Sequence, residues 1–518
     1  MAGRAQPVKP TLGVSAAALV AALILAALAA VALRAEPGRG LGPSDWAALK
    51  FTLTQACLSA LISVALAIPL ARALARRRFY GRSALIALLG APFILPVIVA
   101  ILGLLQVFGR SGWINTALEA LGLPAVSIYG LHGVVLAHVF FNLPLATRLI
   151  LQGWQAIPAE RFRLAAQLNL SSTAMFRLIE WPMLARAMPS ALATVFAICL
   201  TSFAVALSLG GGPKATTIEL AIYQAFRFDF DLGRAAMLSA LQIALTATAG
   251  LMALRLARGE GFGAGLDRPV QRWDGDTVAA RGLDTLCIVL SALFLLLPLG
   301  AIIGAGLANL LSLPEVIFRA ALTSILVAIV STVILLLLAL PMAMAIATGR
   351  GTLVELSGIL GLAASPLVIG TGLFIILRPV TNPADWALPV TALVNAISAL
   401  PFALRILVPN TRDEVARYGR LALSLDMAGA PFVWRVLLPR LRPQIGFAAG
   451  LAAALSMGDL GVIAFFAGPD FATLPLQTYR LMGAYKMDAA AGAALLLLIL
   501  SFGAFWALDR GGRWHAEV

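Results

Sequence analysis

Apolar runs broken by short clusters of charged and turn-forming residues recur along the whole 518-residue chain. A helix needs about 20 apolar residues to cross a bilayer. Twelve runs reach that length: 11–33, 47–71, 84–108, 131–151, 184–209, 235–257, 283–309, 317–347, 354–377, 388–408, 443–467 and 488–508. The pattern predicts an all-α polytopic membrane protein of about twelve transmembrane helices. Arg4 and Lys9 precede the first run as in a signal peptide, but the run continues to Val31. That exceeds an h-region of ~7–15 residues, so a retained first helix is expected.

The chain also repeats itself. "FNLPLATRLILQ" from Phe141 aligns with "SALPFALRILVP" from Ser398, Pro144 on Pro401 and Arg148 on Arg405, a shift of 257. The same shift pairs "RLAAQLNLSSTAMFRLIEWP" from Arg163 with "RLALSLDMAGAPFVWRVLLP" from Arg420. With one residue removed, "GGPKATTIELAIY" from Gly211 matches "AGPDFATLPLQTY" from Ala467. An even number of spans separates the copies, so both halves share one orientation, which places a pathway between them. The expected division is a peripheral helix and external loop (1–46), a first module (47–257), a linker of loop composition (258–282), a second peripheral helix and loop (283–316), a second module (317–508) and a tail (509–518).

Hydrophobic residues make up 61% of the chain and charged residues 12%, and mean hydropathy is +0.94, which excludes a soluble globular class. The formal charge of +14 raises nucleic acid as a partner, but the arginines gather in alternate loops, as cytoplasmic loops require. Arg72, Arg76, Arg77, Arg78 and Arg82 follow the second span, and Arg148, Arg161, Arg163, Arg177 and Arg186 lie between the fourth and fifth. Arg405, Arg412, Arg417, Arg420, Arg435, Arg440 and Arg442 lie between the tenth and eleventh. Both termini are therefore expected in the cytoplasm, with membrane lipid and no nucleic acid as surroundings. Cys57, Cys199 and Cys287 lack ligand spacing, and His132, His138 and His515 are scattered, so no metal site or nucleophile–base pair is expected.

The stretch "SLGGGPKATTIELAIYQA" from Ser208 begins like a phosphate loop, yet none of the four lysines, Lys9, Lys50, Lys214 and Lys486, follows a glycine. A P-loop requires that pairing, so the chain is expected to bind no cofactor and to hydrolyse no ATP itself. Gly210, Gly211 and Gly212 instead end the fifth span with a sharp turn. Beyond them Ile218, Ile222 and Phe226 recur at helical spacing, while Glu219, Tyr223 and Gln224 offer polar groups. This segment reads either as an external gate or as a re-entrant cover over the helix ends. Asp459 lies inside an apolar span, with Ser202 as its repeat counterpart. It reads either as a pathway carboxylate or as a packing residue bonded to a nearby hydroxyl.

Each half also carries a short amphipathic segment in its longest basic loop. Ser171 or Ser172 caps the first, which runs through Met175, Phe176 and Ile179 until Pro182 interrupts it. In the second, Pro431 suits the first helical position, and Phe432, Val433, Trp434 and Val436 precede Pro439. These apolar groups either dock on a partner or pack under their own bundle.

The order Arg163-Leu164-Ala165-Ala166, Asn169, then Ile179-Glu180-Trp181-Pro182 resembles the EAA loop of ATP-binding-cassette importer permeases, E-A-A-x3-G-x9-I-x-L-P. Arg420-Leu421-Ala422, Asp426 and Val436-Leu437-Leu438-Pro439 repeat it. Both copies depart from it, with arginine at the glutamate position and Asn169 or Asp426 at the glycine. Asn and Asp tolerate a left-handed backbone best among the other residues, so positive φ is expected at both. "SFAVALSLGGGPKATTIELAIYQA", "SMGDLGVIAFF" and "DFATLPLQTY" are similar to the thiamine and thiamine-pyrophosphate importer permeases, with the fused ferric-iron importer permeases as the related alternative.

The resemblance implies a type I permease in a bacterial inner membrane that moves thiamine and its phosphate esters. It also implies two separate ATPase subunits, which bind the ATP and Mg, and an external periplasmic solute-binding protein. The coupling residues would be Ala165, Ala166, Asn169, Met175, Phe176, Pro182, Ala422, Asp426, Phe432, Trp434 and Pro439. The pathway or gate residues would be Ser202, Asp459, Glu219, Tyr223 and Gln224. An ion-coupled transporter would need several intramembrane acids, and Asp459 stands almost alone. A membrane enzyme would need a clustered catalytic set.

Overall fold

The computed structural model describes residues 7–8, 10–35, 40–90, 94–256, 276–349, 351–466 and 472–514. The first half opens with α1 (Thr11–Arg34), α2 (Pro43–Arg76), α3 (Arg82–Leu88), α4 (Val97–Phe108), α5 (Trp113–Ala120) and α6 (Leu131–Gln155). It continues through α7 (Ala159–Gln167), α8 (Ser172–Met175), α9 (Trp181–Leu200), α10 (Ala204–Leu209), α11 (Ile218–Arg227) and α12 (Leu232–Leu256). The second half opens with α13 (Val278–Asn309), α14 (Glu315–Ala347), α15 (Thr352–Ala363), α16 (Pro366–Leu377) and α17 (Ala387–Ser424). It closes with α18 (Ala430–Phe432), α19 (Leu438–Met457), α20 (Gly461–Phe466), α21 (Leu474–Gly483) and α22 (Met487–Arg513). The described residues contain no strand, and the chain is an all-α polytopic membrane protein.

Eleven described helices are long and apolar enough to cross a membrane, where the hydropathy pattern predicts twelve. The ninth expected span, 354–377, is two pieces, α15 and α16, parted at Ala364 and Ser365. The residue before a proline is pushed out of the helical region; Ser365 adopts ψ 140° and its hydroxyl accepts the Leu367 N–H. The third expected span is divided in the same place, with Pro96 extended ahead of α4. Apolar composition runs through both breaks, so hydropathy does not register them. Of the expected linker, 258–275 lies outside the described residues, as do Arg4, Lys9, His515, Asp470 and Phe471.

The first helix of each half crosses to the other. α1 packs on α14, α15 and α16 of the second half, and α13 packs on α2 and α4 of the first. Glycine makes the crossing possible, because helices in lipid associate through close backbone approach. A Cβ on Gly103 of α4 would stand 2.5 Å from the Pro298 carbonyl oxygen of α13, and one on Gly372 of α16 would stand 2.3 Å from that of Ala27 in α1. The two halves are thereby interlocked by one joint used twice.

Candidate functional site

A cavity of about 1930 Å³ lies between the halves, walled chiefly by α6, α9 and α12 on one side and α15 and α17 on the other. Its lining includes Arg161, Arg186, Arg405 and Arg412 from the arginine-rich end of the bundle. Its lining also includes two interrupted helices. α9 gives way to α10 at Thr201–Phe203, and α19 gives way to α20 at Gly458–Leu460. Unwound backbone at this depth is tolerated where it lines a cavity, and Ser202, Phe203, Gly458, Asp459 and Leu460 all line this one.

Each break is braced from a neighbouring helix. His138 of α6 holds Ser202 through Nε2 (2.6 Å to Oγ) and Ser59 through Nδ1 (3.2 Å to Oγ). In the second half Asn395 of α17 donates to Ser456 Oγ at 3.1 Å and stands beside the Asp459 carboxylate. Asp459 Oδ1 accepts the Gly461 N–H at 3.1 Å and starts α20, whereas its shielded Oδ2 has no hydrogen-bond partner. Spacing assigned His138 no role. The signal was present, however: the shift of 257 that pairs Ser202 with Asp459 also pairs His138 with Asn395.

Glu219 also lines the cavity, buried, accepting from Gln242 Nε2 at 3.1 Å and from the Ser365 hydroxyl of the other half. Its helix, α11, turns back under the helix ends. Gly211 and Gly212 make that turn at φ 74° and 127°, and the Ile218 N–H is fixed by Thr52 Oγ1 at 2.9 Å. Ile218, Ile222 and Phe226 are buried while Gln224 is half-exposed. Beyond the breaks the halves meet in a seam of rings. Phe226 lies 4.3 Å from Phe374 and 4.9 Å from Phe465 between centroids, and Tyr223 lies 5.3 Å from Phe203 and 5.6 Å from Phe465. Phe374, Phe465 and the adjoining Phe466 belong to the second half, so the seam joins both halves, and its Phe203 also lines the cavity. The helix thus contributes Tyr223 and Phe226 to this seam.

The basic loops are duplicated in conformation as well as sequence. Asn169 and Asp426 have φ 50° and 53°, the left-handed turn expected at both. Ser171 Oγ caps α8 at the Ala174 N–H. Pro182 does not interrupt its helix, contrary to expectation, and Pro439 occupies the equivalent place in the second half. A single π turn precedes each, in which Trp181 N–H reaches back to the Phe176 carbonyl and Leu438 N–H to that of Val433. The widened turn lets each proline sit in the first turn of the next helix, where its missing N–H costs least.

Met175 and Phe432 are fully buried within this chain, which corrects their assignment as docking groups: each turns inward to anchor its segment. Ala165 and Ala422 are likewise buried, Ala166 is exposed and Phe176 is half-buried. Trp434 is 71% exposed, and Leu164, Leu168, Leu178, Trp181, Leu421 and Leu425 stand out beside it on the two loops. The anchors differ. Glu180, fully buried, pairs with Arg72 of α2 at 2.9 Å and accepts from Trp154 Nε1 at 3.1 Å. Its repeat counterpart is Leu437, packed with Phe432, Leu441, Ala422 and Val8.

At the two left-handed turns a β-branched residue is strained by roughly 1–3 kcal/mol, whereas glycine is not. Asn169→Gly and Asp426→Gly are expected to keep the turn, and Asn169→Val and Asp426→Val to displace the segment that follows while the bundle still inserts. Protease accessibility of the loops in membrane vesicles reads this directly; Val variants as protected as Gly variants would contradict it.

No protein-family model matches the chain. It is 42% identical over 532 residues to the thiamine transport system permease protein ThiP of Escherichia coli K12, covering 98% of each chain. It is 40% identical to that of Salmonella typhimurium over the full length of both. It is 34% identical to that of Haemophilus influenzae, over 87% of this chain and 86% of that one. Two interlocked halves around a central cavity, similar from end to end to these permeases, place the chain in the thiamine transport system permease family.

Proposed function

We propose that this chain is the membrane pathway of an ATP-driven importer that carries thiamine and its phosphate esters into the cytoplasm. The observation that carries the reading is the cavity between the halves, lined by the carboxylates of Asp459 and Glu219 and by arginines of the basic loops. Thiamine carries a fixed cationic ring, and acids inside a bundle usually face the path of such a charge. Relatives spanning the whole chain are named for thiamine, so a ferric-iron cargo is not favoured. The arginine-rich end would face the cytoplasm of a bacterial inner membrane, with both termini on that side and the ring seam facing a periplasmic solute-binding protein. The two modules of the pathway would be 47–257 and 317–508.

The exposed apolar groups at that end, Trp434 foremost, would dock two separate ATPase subunits, which hold the ATP and Mg. The chain itself would bind no cofactor. Alternating access follows if closure of the ATPases pulls the two loops together, shuts the arginine-rich end and parts the seam. Trp434→Asp removes apolar burial worth roughly 2 kcal/mol and adds a charge to be desolvated. Co-purification of the ATPase with this variant is expected to fall, with expression of the chain unchanged. Undiminished co-purification and uptake would overturn docking at this site.

A further inference from the structure

We infer that the two helix breaks form one asymmetric cargo site, in which Asp459 takes the positive charge and the His138–Ser202 pair takes the hydrogen-bonding end. This rests on the reading of the chain as a thiamine pathway. Duplication gave both halves the same frame: a helix broken at the same position, a polar residue on the break (Ser202 or Asp459) and a bracing residue 64 positions earlier (His138 or Asn395). The chemistry of the two frames has diverged. Only the second carries a carboxylate on the break: Oδ1 accepts the Gly461 N–H at the start of α20, with the Val462 and Ile463 N–H groups and Asn395 beside the group, and Oδ2 completes no hydrogen bond. Glu219 is already held by Gln242 and Ser365. Asp459 is thus the acid that stands on a helix break itself, among the residues that line the cavity.

The first frame is neutral and directional. If His138 Nδ1 accepts from Ser59, Nε2–H donates to Ser202 Oγ, and the serine O–H is free to donate into the cavity. In the other tautomer Nδ1–H donates to Ser59, Nε2 accepts the serine proton, and the Ser202 lone pairs face the cavity. Either way the imidazole, 3% exposed and bonded on both nitrogens, fixes which partner Ser202 offers. A flat cation with hydrogen-bonding groups at its far end fits such a pair in one orientation only, charge toward the second half. His138 is then a positioning residue acting through Ser202.

The test uses the complete transport complex, with its ATPase and binding protein, in liposomes, and follows uptake of radiolabelled thiamine. Asp459→Asn keeps the acceptor for Gly461 and removes the charge, so uptake is expected to fall ~tenfold or more with assembly of the complex retained. Adding Ser202→Asp to Asp459→Asn returns a carboxylate to the equivalent place in the other half and should recover uptake about threefold or more over the single variant. Ser202→Ala alone should reduce uptake about threefold or more, with His138→Ala matching it and adding little in combination. Asp459→Asn at the wild-type rate would reduce Asp459 to a helix cap and overturn the inference. So would a fully assembled double variant without recovery, or a Ser202→Ala variant without loss. A wild-type complex that imports no thiamine would sink the functional reading itself, which separates the two failures.

Discussion

Replacing Phe226 by alanine is expected to make the membrane leak thiamine without ATP. The Phe226 ring is the one that touches both Phe374 and Phe465 across the seam, with centroids 4.3 and 4.9 Å away. Each aromatic contact contributes about 0.5–1.5 kcal/mol beyond simple burial. In lipid this packing term matters more, because apolar surface gains little by leaving a solvent as apolar as itself. Loss of both contacts therefore weakens the closed seam by about 1–3 kcal/mol, which corresponds to a roughly 5–150-fold rise in the population open at that end. Passive efflux from thiamine-loaded liposomes holding the chain reads the change, and Phe226→Tyr, which keeps a ring, serves as the control. Efflux from the alanine variant equal to that of the control would mean that the seam is not the closure.

Glu180→Ala should be the most damaging single change at the basic end. Its carboxylate, fully buried, is shared by Arg72 and Trp154, and the Arg72 guanidinium also lies over the Phe176 ring at 5.5 Å. Removing one member of a buried ion pair costs about 3–5 kcal/mol, because the partner is left desolvated. The loss is local to the joint between α2 and the first basic-loop segment. ATP hydrolysis stimulated by the loaded binding protein should collapse while the chain still inserts. Glu180→Leu copies the residue at the equivalent position of the second half, Leu437, and should not rescue, since that side chain is surrounded by apolar partners including Val8. Full stimulation in Glu180→Leu would show that the ion pair positions nothing.

Much of this fold can be read from residue order, because a bilayer permits few solutions. Backbone groups in lipid must be satisfied within a helix, so long apolar runs translate directly into spans, and a shift of 257 in the residues reappears as duplicated turns. Asn169 and Asp426 were legible for the same local reason: few residues other than glycine accept positive φ. Illegible were features set by tertiary partners. Hydropathy passes smoothly over Ala364 and Ser365, where the chain breaks to line the cavity. Met175 and Trp434 look alike as bulky groups in a basic loop, yet one is sealed inside and the other stands in solvent. His138 looked isolated because its partners, Ser59 and Ser202, lie 79 and 64 residues away.

The most direct measurement of the central claim is thiamine accumulation against its gradient in liposomes that contain the purified chain, its ATPase and, on one side, the binding protein. Accumulation is expected only when ATP with Mg is supplied on the side of the arginine-rich loops and all three components are present. Accumulation by the chain alone, driven by an ion gradient without the ATPase, would contradict the account.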